Sequence, residues 1–128
     1  MRTPNRWVAL AFCLVAAVAS AQSRVVRVDR DKPSVEFKES VKGDASVDYK
    51  VDVDAGQTMT VKLDAKKAYF NIIEPNAGDV AIYNSSTDMN AWTSVAKHTG
   101  QYTVRVYLMR NEARRGTSDA YTLKISLR

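Results

Sequence analysis

Val47-Asp48-Tyr49-Lys50-Val51-Asp52-Val53 alternates apolar and charged side chains without a break. A strand turns successive side chains to opposite faces, so Val47, Tyr49, Val51 and Val53 share an apolar face and Asp48, Lys50 and Asp52 a charged one. The pattern predicts a half-buried strand with Tyr49 in the core. Ala55-Gly56-Gln57 then reads as a turn, and Met59, Val61 and Leu63 alternate with Thr58, Thr60 and Lys62; the spacing predicts a hairpin. Toward the C-terminus, Tyr102, Val104, Val106 and Leu108 alternate with Thr103, Arg105 and Tyr107, and Tyr121, Leu123, Ile125 and Leu127 alternate with Thr122, Lys124 and Ser126. These two strands are also expected to pair.

Weaker strand patterns occupy 25–28, 35–37, 69–73, 80–83 and a short segment around Trp92, while residues 22–24 read as a frayed start. No helical period follows the first twenty residues. About eight short strands, each apolar on one side and separated by Gly, Asn, Asp and Pro, predict an all-β chain: a single antiparallel β-sandwich, with a small barrel as the other closure. Glu74-Pro75-Asn76-Ala77-Gly78 reads as a turn, because Pro75 fixes φ and Gly78 permits a positive one.

Residues 1–21 have the three parts of a secretory signal: Arg2 and Arg6, an apolar run from Trp7 to Val18 too short to span a bilayer, and Ala19-Ser20-Ala21 as a cleavage site. Cleavage would leave 22–128 as one β-sandwich domain, directed to the periplasm and not inserted in a membrane. Phe12 before Cys13 argues against a lipoprotein site. Cys13 is the one cysteine and lies within the signal, so the mature domain would hold together by packing alone. Seventeen bases and fourteen acids would remain, a net charge of +3. No broad basic stripe with stacking aromatics accompanies that excess, which excludes a general nucleic-acid grip.

Catalytic chemistry is poorly provided for. His98, the single histidine, sits in Lys97-His98-Thr99-Gly100 and reads as a solvated loop residue. There is no cysteine nucleophile in the mature chain, no two-histidine metal set and no glycine-rich phosphate loop, so neither an enzyme nor a cofactor is expected. Asp48, Asp52 and Asp54 fall on the outer face of one strand, where carboxylates in a row suit calcium but ordinary solvation explains them as well.

Arg110-Asn111-Glu112-Ala113-Arg114-Arg115-Gly116 stands apart. It would form a hairpin loop longer than a sandwich requires. Guanidinium forks suit carboxylates, and arginine is enriched among interface anchors, so the segment reads as a contact loop. It reads equally as a solvated loop whose arginines pair with Glu112 and Asp119.

On this segment the chain resembles the bacterial periplasmic inhibitors of goose-type lysozyme. The resemblance rests on Arg105-Val106, on Arg110-Asn111-Glu112-Ala113-Arg114 and on Tyr121-Thr122-Leu123-Lys124-Ile125, with support from 43–49, Ala55-Gly56-Gln57 and Ala68-Tyr69-Phe70. It implies a β-sandwich that pushes loops into the lysozyme's substrate cleft, with Arg110 and Arg114 engaging acidic catalytic groups and Asn111 and Arg115 in support. The family places an aromatic residue just after the glycine of the early loop. Here Gly43 is followed by Asp44, which would repel an acidic cleft or meet a different partner.

The Ala-Gly-Gln turn and the Gly-x-Tyr-Thr strand are also similar to pre-peptidase C-terminal domains. That likeness implies a non-catalytic module binding carbohydrate or the cell envelope. Trp92, Tyr83 and Tyr107 would be its stacking residues and cell-wall glycan its partner.

Overall fold

The computed structural model describes residues 21–128, so the signal expected over 1–21 lies, but for Ala21, outside the described residues. Nine strands run in chain order: β1 (Ala21–Val26), β2 (Ser34–Lys42), β3 (Ser46–Val53), β4 (Thr58–Ala65), β5 (Ala68–Ile73), β6 (Ala81–Asn84), β7 (Ala91–Val95), β8 (Gly100–Leu108) and β9 (Ser118–Leu127). A 3₁₀ turn, Ser85–Thr87, follows β6, and a one-turn helix, α1 (Arg110–Arg114), follows β8. The strands form a five-stranded sheet, β1-β3-β8-β5-β6, and a four-stranded sheet, β2-β9-β4-β7. All pairs are antiparallel except β1 with β3.

Period two dictates what the sheets bury. Val47, Tyr49, Val51, Val53, Phe70, Ile72, Tyr102, Val104 and Val106 from one sheet meet Met59, Val61, Leu63, Tyr121, Leu123, Ile125 and Leu127 from the other, all nearly inaccessible to solvent. Fully burying such a side chain contributes about 1.5–3 kcal/mol, which accounts for a domain held by packing. Tyr49 lies in this core as its alternation requires. Its hydroxyl is bonded to the Tyr121 hydroxyl at 2.7 Å and donates to Glu39, whose other oxygen accepts from Arg24 at 3.0 Å. Burial tends to raise the Glu39 pKa, but the hydrogen bonds from Tyr49 and Arg24, with the Arg24 charge, outweigh it and hold the carboxyl below its ordinary value.

The strand pairings differ from the expected ones. Neither predicted hairpin forms: β3 and β4 lie in opposite sheets, and so do β8 and β9. Among the described residues only β5 and β6 are consecutive strands that pair. The Ala55-Gly56-Gln57 turn is instead an arch between layers, pinned by Gly56 N–H donating to the Ala96 carbonyl at 2.9 Å and Ala96 N–H to the Gln57 carbonyl at 2.8 Å. Two or three residues suffice for such an arch. Three Cα steps of about 3.8 Å span the roughly 10 Å between packed sheets.

Residues 22–24, expected to fray, belong to β1. They run parallel to β3 with Gln22 opposite Val47, and Arg24 latches the strand through Glu39. The outer row of acids is also not uniformly solvated. Asp48 is only 6% exposed, because Arg105 donates to both its oxygens at 2.8 and 3.1 Å; Asp52 and Asp54 are exposed.

Candidate functional site

Four crossovers gather at one end of the sandwich: the β2–β3 turn at 43–45, the β4–β5 turn at 66–67, the 3₁₀ turn and the β8–β9 connection at 109–117. The last is a crossover between the central strands of the two sheets. At nine residues it is longer than the crossovers at 43–45 and 66–67, which pass between the same layers in three and two.

Met109, extended and without a side-chain cap bond, starts α1, and Ala113 N–H donates to its carbonyl at 2.8 Å. The helix ends in a Schellman arrangement. Gly116 N–H donates to the Ala113 carbonyl at 3.0 Å and Thr117 N–H to the Glu112 carbonyl at 3.1 Å, with Gly116 at φ +68°. A left-handed residue is obligatory there, which explains glycine after the arginines. The Thr117 carbonyl then accepts from Gly43 N–H at 2.8 Å. Through that bond the Gly43-Asp44 turn stands beside the arginine segment, so the structure brings all five sequence-predicted residues, Asp44, Arg110, Asn111, Arg114 and Arg115, to one end of the domain, and all five are exposed.

The carboxylates of this end decide its electrostatics. Glu112 turns inward: its side chain is 16% exposed, accepts from Thr117 Oγ1 at 2.8 Å and pairs with Lys67 Nζ at 3.4 Å. The Thr117 hydrogen bond, against a smaller desolvation and aided by the Lys67 and Arg115 charges, holds its carboxyl below the ordinary pKa. Asp119 is buried, and its Oδ2 accepts from the backbone N–H groups of Lys67 at 2.7 Å and Ala68 at 2.8 Å. Both acids expected to neutralise the arginines are thus committed to the β4–β5 turn and the chain reversal. Among the described residues Arg110, Arg114 and Arg115 form no ion pair. Three guanidinium groups face water with their donors available, beside the exposed ammonium-bearing residues Lys42 and Lys66.

A search against solved structures matches this fold to periplasmic inhibitors of g-type lysozyme. A periplasmic lysozyme inhibitor of g-type lysozyme from Aeromonas hydrophila, PliG, is 32% identical, with a TM-score of 0.78 over 85% of this chain and 98% of the relative. This chain belongs to the PliG family. Salmonella Typhimurium PliG is 25% identical with a TM-score of 0.67 over 84% of this chain and 98% of its own. A PliG mutant from Escherichia coli, at 22% identity, shares the fold, with a TM-score of 0.67 over 86% of this chain and 100% of its own. Neither protein-family models nor curated proteins gave a match.

Within the PliG fold the remaining sequence candidates separate. Arg105, one of the residues that carried the resemblance, lies on the outer face of the five-stranded sheet, tied to Asp48 and, at 3.2 Å, to Asp79. The three proposed stacking aromatics do not form a shared surface. Tyr83 packs at the core edge against Phe70 and Trp92, its hydroxyl donating to the Met89 carbonyl, whereas Tyr107 is on the outer face, beside Tyr69 and donating to Asn84 at 2.6 Å. His98 is exposed, 3.9 Å from Glu74. Sequence reasoning did not single out Lys66, Lys67 and Thr117. The Lys-Lys pair between two strand patterns was the available signal for the first two; nothing local marked Thr117.

Proposed function

We propose that this chain is a non-catalytic inhibitor of g-type lysozyme, exported to the periplasm through a signal at 1–21 and acting by placing Arg110 and Arg114 in the enzyme's acidic substrate cleft. The observation that carries the reading is the set of outward arginines left without internal carboxylate partners, on a chain of the PliG family. A glycosidase cleft keeps a pair of carboxyl groups for acid and base work. Guanidinium groups offer them charge-assisted, bidentate hydrogen bonds, and an occupied carboxylate pair admits no sugar. Asn111 and Arg115 flank the two anchors. Asp44, standing beside them, brings a negative charge to the same surface and selects against clefts that are acidic throughout.

The test is lysis of a cell-wall substrate by a g-type lysozyme titrated with the purified mature domain. Stoichiometric loss of lysis is expected; full lysis at excess domain would sink the proposal. Tyr83 and Trp92 pack together at the core edge and Tyr107 stands apart on the outer face, which gives a glycan-binding reading no comparable support.

A further inference from the structure

A five-residue helix in water does not sustain itself, since nucleation is costly and one turn returns few hydrogen bonds. α1 has no side-chain N-cap and no buried residue to anchor it. Its reversal is closed by backbone bonds at Gly116 and Thr117, but one side chain of the helix bonds to the rest of the domain among the described residues: Glu112. That carboxylate receives Thr117 Oγ1 from the chain beyond the helix and Lys67 Nζ from the β4–β5 turn. It thereby ties the helix to two neighbouring elements at once.

We infer that Glu112 is a positioning residue of the inhibitory end: its inward carboxylate sets the helix on which Arg110 and Arg114 are displayed. The inference rests on the inhibitor reading. Arg110 and Arg114 are four apart, so only a formed helical turn puts them on one face. If the turn melts, the two guanidinium groups separate, and ordering them again is charged against binding.

The inference has an unusual sign. A carboxylate between arginines that meet an acidic cleft is, by charge alone, unfavourable, and Glu112→Gln should then speed association and tighten the complex, most at low salt. Positioning requires the opposite. Binding kinetics on immobilised g-type lysozyme, with inhibition of lysis in parallel, separate the two for wild type, Glu112→Gln, Thr117→Val and the pair combined. About tenfold weaker binding is expected for Glu112→Gln, mainly in the dissociation rate. Thr117→Val should weaken it in the same direction, and the combination should be less than additive because both act on one bond: glutamine keeps the accepting oxygen but not its charge, and valine removes the donor. Thermal melting run alongside distinguishes loss of the fold from loss of the loop.

Wild-type inhibition with Glu112→Gln and Thr117→Val binding as tightly or more tightly would overturn the positioning role and leave the inhibitor reading intact. Wild type that neither binds nor inhibits would remove both. Should Glu112→Gln fail to fold, Thr117→Val carries the test with amide exchange. Protection at Ala113 must fall together with affinity; unchanged affinity overturns the inference.

Discussion

Replacing Arg110 and Arg114 together with alanine should abolish inhibition while leaving the domain folded. Both side chains are exposed and neither has an ion pair among the described residues, so each truncation breaks no internal salt bridge there. Surface changes of this kind alter stability by about 0.5 kcal/mol at most, a shift of a few degrees in melting temperature for a domain of this size. Binding is another matter. Removing one partner of a desolvated, hydrogen-bonded charge pair costs about 2–5 kcal/mol, so each single variant should lose at least about thirtyfold in affinity. Because the two residues share a helical face and would reach the same pair of carboxyl groups, their losses should not simply add; about 4 kcal/mol, roughly three orders of magnitude, is expected for the double variant. Calorimetric titration against a g-type lysozyme measures this, with circular dichroism melting as the control. A folded double variant that still inhibits like wild type would refute the argument that the unpaired guanidinium groups are the anchors.

Three further outcomes follow from the geometry. Asp44→Tyr removes a carboxylate next to the arginines and should improve affinity by up to about fivefold, the worth of an exposed charge contact, read in the same titration; weaker binding would mean that Asp44 meets a cation on the partner. Gly116→Ala forces a side chain into the left-handed region at φ +68° and should cost about 1–2 kcal/mol in denaturant unfolding, with a matching loss of inhibition. The folded Glu39 carboxyl titrates below its ordinary value near 4.5, so the unfolded chain binds the proton more readily. The stability this provides is complete above that value and is lost as pH falls through the folded one; Glu39→Gln should lower the melting temperature at neutral pH and flatten its decline on acidification.

The arginine segment was visible in the sequence as a cluster, but whether its arginines were paired within the domain was not. Glu112 and Asp119 looked available to the arginines because they are near in the chain. In the fold they are nearer to Lys67, Ala68 and Thr117, groups delivered by a different turn and by the helix reversal. Asp48 shows the same limitation. Alternation placed it on an outer face, and it is there, yet it is buried by Arg105 from a strand 57 residues on. Outer is not the same as solvated when a long side chain lies across the neighbouring strand.

Alternation by itself determined that the chain is all β, which residues line the core, and that Tyr49 is one of them. These follow from one local rule: a period of two sends alternate side chains to one face, whatever that face packs against. Which sheet each strand joins was decided only by the tertiary structure. A strand with one apolar face buries it equally well in a hairpin or across the layers of a sandwich, and the turn residues that signal one permit the other. That choice put β8 and β9 in different sheets, stretched the arginine segment over the end of the domain beside Asp44, and set its one carboxylate, Glu112, inward and its guanidinium groups out.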